Sequence, residues 1–284
     1  MNERSTFIGS SDIAKLLQVS PWGGPVELWL DKTLPVAERT EPEYIKRGRR
    51  LEGYILDLAE EELGIRAEIR NTRYDDAEVP YFSCQLDAER GSLNENIEVK
   101  TVHPFKAGEW GDAGTDELPL HYLAQAQWGL GITRRHLTRF LVLIGDDLRQ
   151  YVVERDDATI RAMRERATDF WERYVLAKVR PPMELDEHAL PVLKRLYRGT
   201  NGEQLIATPE SELWKRVLQE SKGHVARYQA AADTAKAHLL DTMGEAALLK
   251  FEDGTALRRK LTKRKGYIVE DMEYMDARFM KLKE

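Results

Sequence analysis

Cysteine is almost absent from the 284-residue sequence. Cys84 stands alone, so no internal disulfide can form and every CxxC-type metal or redox motif is excluded. No apolar run approaches the ~20 residues needed to span a bilayer. The opening MNERSTFIGSSD lacks the basic-then-apolar layout of a signal peptide, so a cytoplasmic location is expected. Six histidines are scattered without zinc-ligand spacing, and Ser10-Ser11 has no recognisable His and Asp partners for nucleophilic catalysis. Excess positive charge is missing as well. The formal net charge of -6 argues against coating nucleic acid by bulk charge, but an enzyme needs only acids to hold metal and a local basic track to hold phosphate.

With 42% hydrophobic and 32% charged residues, the chain has the make-up of one large domain, or of one domain with an appendage. SSDIAKLLQVSPWGGPVELWLDKT reads as a helix capped by Ser10 or Ser11, a Pro/Gly loop and a second helix. Residues 42–63 form a long helical pattern with Ile45, Leu51, Tyr54, Ile55, Leu58 and Leu63 on its apolar side and Gly64 as its cap. IRAEIRNTRY, YFSCQLDAE and NIEVKTV read as strands. Residues 119–131 return to helix, TRFLVLI and LRQYVVE make a hairpin about Gly145-Asp146-Asp147, and a helix runs from Asp157 to about Val179. This order predicts an α+β fold, a mixed central β-sheet flanked by helices, over residues 1–180. A boundary within 180–207 then leaves residues 181–284 as a C-terminal extension. That extension holds a long helix starting at Thr208-Pro209-Glu210 and a hairpin turning at Asp253-Gly254, with a basic cluster from Arg258 to Lys265.

The chemistry concentrates in IEVK, residues 97–100. Side chains alternate along a strand, so Glu98 and Lys100 project together while Ile97 and Val99 face the other way. Eleven residues before Glu98, Asp87 ends YFSCQLD, and pairing of the two strands would bring Asp87 beside Glu98. Two carboxylates plus a backbone carbonyl, that of Val99, form a hard oxygen site suited to Mg²⁺ or Mn²⁺. Lys100 can then orient or deprotonate a water whose pKa the metal lowers. Taken alone the motif is weak, because most same-face Glu-x-Lys pairs are solvated ion pairs worth about 0–1 kcal/mol.

Four segments in order give the motif a context. FIGSSDIAKLL, RGRRLEGYILDLAEEELG, CQLDAER through IEVKTVHP, and HYLAQAQWGLGI resemble the lambda-type phage exonucleases, the YqaJ-like viral recombinases of the PD-(D/E)xK nuclease superfamily, over roughly residues 4–175. The resemblance implies that Asp87 and Glu98 are metal ligands, that Lys100 is the catalytic lysine and that Glu52 completes the metal site. It also implies that Gln125 lies near the reacting phosphate, and that Arg4 and Ser11 hold a DNA 5′-phosphate. Each has an ordinary alternative: Glu52 as a residue of a highly charged helix, Gln125 as a plain helix position, Arg4 as a frayed terminus. Leu86 stands where the superfamily has its proline, and the family's further acid, before the core Asp, has only Asp75 and Asp76 nearby, out of register.

The resemblance implies a Mg²⁺-dependent 5′→3′ exonuclease with two ions per site. Mn²⁺ would substitute for Mg²⁺, and the enzyme would act on double-stranded DNA ends in a bacterial host cell, leaving 3′ single-stranded tails for phage-type recombination. It further implies a trimeric ring and a single-strand annealing protein as partner. Arg47, Arg49 and Arg50 are candidates for lining a DNA track. The competing readings are an endonuclease or structure-specific nuclease with the same core, and a non-catalytic DNA-binding scaffold. Trp22, Trp29 and Trp110 offer surfaces for stacking on bases, although packing is the commoner role of tryptophan.

Overall fold

The computed structural model describes residues 3–34, 42–183, 188–197 and 199–263. The chain divides into two compact units, Met1–Leu196 and Tyr197–Glu284. The division falls beyond residue 180 because a short helix, Ala189–Leu196, packs Ala189 and Val192 against Val26 and Leu30 of the first unit.

In the first unit a 3₁₀ turn, Glu3–Thr6, leads into helices α1 (Ser10–Leu16), α2 (Pro25–Thr33) and α3 (Glu43–Leu63). Strands β1 (Ile69–Asp75), β2 (Ser83–Arg90) and β3 (Glu95–Val102) follow, then helix α4 (Leu120–Thr133), strands β4 (Leu137–Ile144) and β5 (Asp147–Glu154), helix α5 (Asp157–Phe170) and α6 (Ala189–Leu196). α5 continues as one π-helical turn, Trp171–Leu176. The sheet order is β1-β2-β3-β4-β5, and the β3–β4 pairing alone is parallel. The α4 crossover makes that pairing possible, since parallel neighbours cannot be joined by a tight turn. β4 and β5 meet at Ile144–Asp147, where Gly145 has φ +68° and already lies close to Pro104.

Side chains of β4 go alternately to the two faces. Leu141 joins Ile97, Val99 and the Ile55, Leu56 and Ala59 stripe of α3, whereas Phe140 and Val142 pack with Ala126 of α4. Helices α3 and α4 therefore cover opposite faces of the sheet. The buried stripe of α3 differs from the expected one: Ile45, Tyr54 and Leu63 are exposed, and Leu56 and Ala59 take the core positions. Beyond the crossover, buried Glu89 receives the Arg135 guanidinium at 2.5 Å and the Tyr74 hydroxyl at 2.6 Å. Arg135 also donates to Asn96 Oδ1 at 3.0 Å, which ties the end of α4 to the sheet through paired rather than isolated charge.

β2 breaks its pattern at one residue. Its ladder to β1 skips the Asn71–Asp87 pair, with Asn71 at φ +57°, and its ladder to β3 stops at Ala88–Ile97. Leu86 packs in the cluster of Trp128 while Ala88 packs in that of Ile55, although an unbroken strand would place both on one face. The expected continuous pairing of Asp87 opposite Glu98 is thus not the one observed. The strands separate one residue earlier.

In the second unit, α7 (Pro209–Met243) starts at a Thr208 cap, with Pro209 at the first helical position where no N–H is missed. Strands β6 (Leu248–Lys250) and β7 (Ala256–Arg258) form a short hairpin around Gly254, at φ +84°. Of the expected basic cluster, Arg264 and Lys265 lie outside the described residues.

Candidate active site

Where β2 and β3 part, the Asp87 carboxylate takes over a backbone partner: Val99 N–H donates to Asp87 Oδ2 at 2.7 Å. Val99 itself points into the α3 core, so of its groups the backbone, not the side chain, faces Asp87. Glu98 and Lys100 project to the α4 side, as the alternation predicts. Lys100 Nζ lies 2.9 Å from Glu98 Oε2 and 3.8 Å from Asp87 Oδ2, and it stands 5.5 Å from the centre of the Tyr122 ring. Gln125, one turn further along α4 than Tyr122, donates from Nε2 to Glu98 Oε2 at 2.7 Å. Gln127 is turned away, donating to the Glu154 carbonyl.

Electrostatics follow from burial. The Glu98 side chain is only 4% exposed. Burial pushes its carboxyl up to about 7; Lys100 pulls against that, while the charges of Asp87 and Glu52 add to it. For Lys100 burial disfavours the ammonium, but the carboxylates of Glu98 and Asp87 outweigh it and hold the group well above the ordinary lysine range. Glu52 sits one turn before Ile55 and Leu56 on the sheet-facing side of α3. Its carboxyl is raised by burial and by Asp87, with Lys100 and Arg49 opposing, which sets it within electrostatic reach of the cluster. Arg47, Arg49 and Arg50 are exposed on the same helix.

A cavity of about 450 Å³ adjoins Asp87, and Arg4, Ser11, Arg73, Gln85 and Gln125 share its lining. The N-terminal segment reaches it because Ile8 bridges Phe82 in parallel, just ahead of β2. Buried Lys32 fixes the same segment, donating 2.7 Å bonds to the Arg4 carbonyl and to Asp12 Oδ2. α1 is capped by Gly9, not by either serine: Ser10 opens the helix and Ser11 is exposed in its first turn, toward the cavity. Arg73 and Gln85 had no signal in the sequence. Arg73 lies over the Phe7 ring at 4.3 Å, a contact visible only after folding. Asp76 is bound by the Arg164 guanidinium and Asp75 pairs with Arg73 at 3.2 Å, so both are engaged elsewhere.

The donor set of Asp87, Glu98, Glu52 and a strand carbonyl is that of a hard divalent cation. Among the described residues, however, no three His, Cys, Asp or Glu side chains converge as a ready ligand set. Lys100 bridges Asp87 and Glu98 instead.

Residues 1–136, which include Asp87, Glu98, Lys100 and Gln125, match the YqaJ-like viral recombinase domain. The N-terminal half is a domain of that family. The protein YqaJ of Bacillus subtilis (strain 168), itself uncharacterized, is 31% identical over 216 residues, 72% of this chain. The match spans 64% of that relative, somewhat under two thirds of its length. Among solved structures, the alkaline exonuclease LHK-Exo of Laribacter hongkongensis superposes with a TM-score of 0.49 at 17% identity, covering 68% of this chain and 96% of that one. A phage-related exonuclease of Haemophilus somnus 129PT superposes at 0.46 with 14% identity, covering 61% and 95%.

The YqaJ-like domain therefore carries a carboxylate cluster whose charge opposes its own burial. In the fold Glu98 releases its proton near pH 7, against about 4.5 when unfolded, so rising pH across that window favours the unfolded chain. Metal-free wild type is expected to lose thermal stability from pH 5 to pH 8 relative to Glu98→Gln, which cannot titrate there. Scanning calorimetry of both proteins across that range checks this. Parallel curves would mean that the Glu98 carboxyl titrates in the fold as it does in solution.

Proposed function

We propose that this site hydrolyses phosphodiester bonds at the ends of double-stranded DNA, as a 5′→3′ exonuclease that leaves 3′ single-stranded tails for phage-type recombination. The observation that carries the reading is the meeting of Asp87, Glu98, Lys100 and Gln125 beside a cavity that Arg4 and Ser11 also line. A salt bridge with only a structural role needs neither the interrupted ladder nor the cavity.

Asp87 and Glu98, with Glu52 and the Val99 carbonyl, would hold Mg²⁺, or Mn²⁺ in its place, with two ions the arrangement the family suggests. When bound, the cation neutralises charge that builds on the phosphate. The chain's own groups do the rest. Gln125 keeps Glu98 oriented through its 2.7 Å bond. Lys100, held protonated by its carboxylates, acts as a donor, so orientation of a water fits this geometry better than its deprotonation. Arg4 offers the planar fork that matches a terminal phosphate, with the Ser11 hydroxyl beside it. Arg47, Arg49 and Arg50 would steer the duplex along α3. A trimeric ring, a single-strand annealing protein as partner and residence in a bacterial cytoplasm complete the proposal on family grounds.

End-labelled linear and closed circular DNA, each with Mg²⁺ or EDTA, tests the reading. Loss of nucleotides from 5′ ends only with Mg²⁺ is expected, and Lys100→Ala should slow it by roughly 10²–10⁴-fold, the range for a positioned proton-transfer or water-orienting group. Cutting of circles would make the enzyme an endonuclease, and inactivity on both substrates a scaffold. Polarity has its own check in initial rates on 5′-phosphorylated and 5′-hydroxyl duplexes. Wild type should prefer the phosphate and Arg4→Ala should erase that preference. Equal slowing of both substrates would remove Arg4 from end recognition.

A further inference from the structure

Trp110, Trp128 and Trp171 are buried, and Trp29 donates its indole N–H to the Tyr174 carbonyl at 3.0 Å. Among the first unit's tryptophans, Trp22 alone holds more than half its surface, 60%, in solvent. It stands in the turn between α1 and α2, and that turn is built rather than loose. The Trp22 backbone N–H donates to Ser20 Oγ at 3.2 Å, and Gly23 packs so closely on the Glu27 carboxylate that a Cβ there would require Glu27 to move.

The indole also has a rigid support that leads to the site. It meets the His121 ring edge-on, 4.8 Å between centres at 82°. His121 lies 4.0 Å from Tyr122, whose ring is 5.5 Å from Lys100 Nζ. Trp22 and Tyr122 are themselves 6.5 Å apart. Nε2 of His121 is buried with no hydrogen-bond partner, and burial pushes its pKa down, so the imidazole serves as an uncharged aromatic prop. Lys106 acts electrostatically on both His121 and Tyr122, placing a cation at the border of the same group.

We propose that Trp22 is the platform of a nucleobase subsite, stacking one base of the DNA strand whose phosphate lies at Lys100. The inference rests on the DNA-cleaving reading of the neighbouring site. A strand with a phosphate at Lys100 carries its adjacent bases close by, and the succession Lys100–Tyr122–His121–Trp22 ends in an indole that is 60% exposed. Stacking accepts every base, since each has a π face, so the subsite adds affinity and register without sequence preference.

The test compares Kd, in metal-free buffer, and KM and kcat, with Mg²⁺, for natural duplexes and for duplexes with one abasic residue placed at each position near the 5′ end in turn. Wild type should bind about tenfold more weakly when one particular base is missing, within the range for a single base–aromatic stack. Trp22→Ala should lose the same factor on natural DNA, in Kd and KM rather than kcat, and should no longer distinguish the abasic substrate. Trp22→Phe should restore most of the affinity. Wild-type affinity in Trp22→Ala, or unchanged discrimination by it, overturns the subsite. Base discrimination that depends on Trp22 in a protein that cleaves nothing would uphold the subsite and refute the nuclease reading. Cleavage without such discrimination would do the reverse.

Discussion

A single backbone N–H sets the geometry of the candidate site. Val99 would ordinarily give its N–H to a sheet neighbour or to water, and here it goes to the Asp87 side chain. That exchange lets β3 part from β2 after Ile97 without stranding a buried donor. The turn in β2 sends Leu86 to the α4 side and Ala88 to the α3 side, so both helices pack against the sheet around the gap. The gap in turn admits the N-terminal segment with Arg4 and Ser11. Sheet interruption, helix packing and cavity thus meet where one carboxylate accepts one amide.

A second constraint is the charge gathered at that gap. Glu98 is nearly sealed from solvent and still has Asp87 and Glu52 close enough to raise its pKa. Lys100 and Gln125 offset part of this by donating to the same Glu98 oxygen. The resulting balance does not favour the metal-free fold, as expected where acids are placed for function rather than stability. The contrast with Glu89 is direct. Glu89 is equally buried, yet the Arg135 guanidinium and the Tyr74 hydroxyl satisfy its carboxylate directly.

Much of this was legible in the sequence where local pattern decides the outcome. Alternation along IEVK fixed which side chains share a face, and the order of helices and strands was enough to expect a mixed sheet flanked by helices. What could not be read depends on contacts remote in the chain. The pairing of Asp87 with Glu98 assumed a regular ladder, and nothing in CQLDAER announces the break. The α3 stripe was misjudged because Tyr54 and Leu63 are apolar yet face solvent, while small Ala59 is the residue that lets the helix approach the sheet. Arg73 and Gln85 are unremarkable strand residues until Phe7 and the cavity lie beside them. Trp22 carried a stacking reading alongside Trp29 and Trp110, and burial is what separates it from them.

On the proposed reading, Asp87 and Glu98 would hold a divalent cation in place of the Lys100–Glu98 contact. Anomalous diffraction from crystals grown with Mn²⁺ tests it most directly. A manganese peak shared by the two carboxylates, with the Lys100–Glu98 bond broken, is the predicted result. Absence of manganese there at full occupancy of other sites, with Lys100 still bonded to Glu98, would contradict the account and leave the cluster as a buried salt bridge.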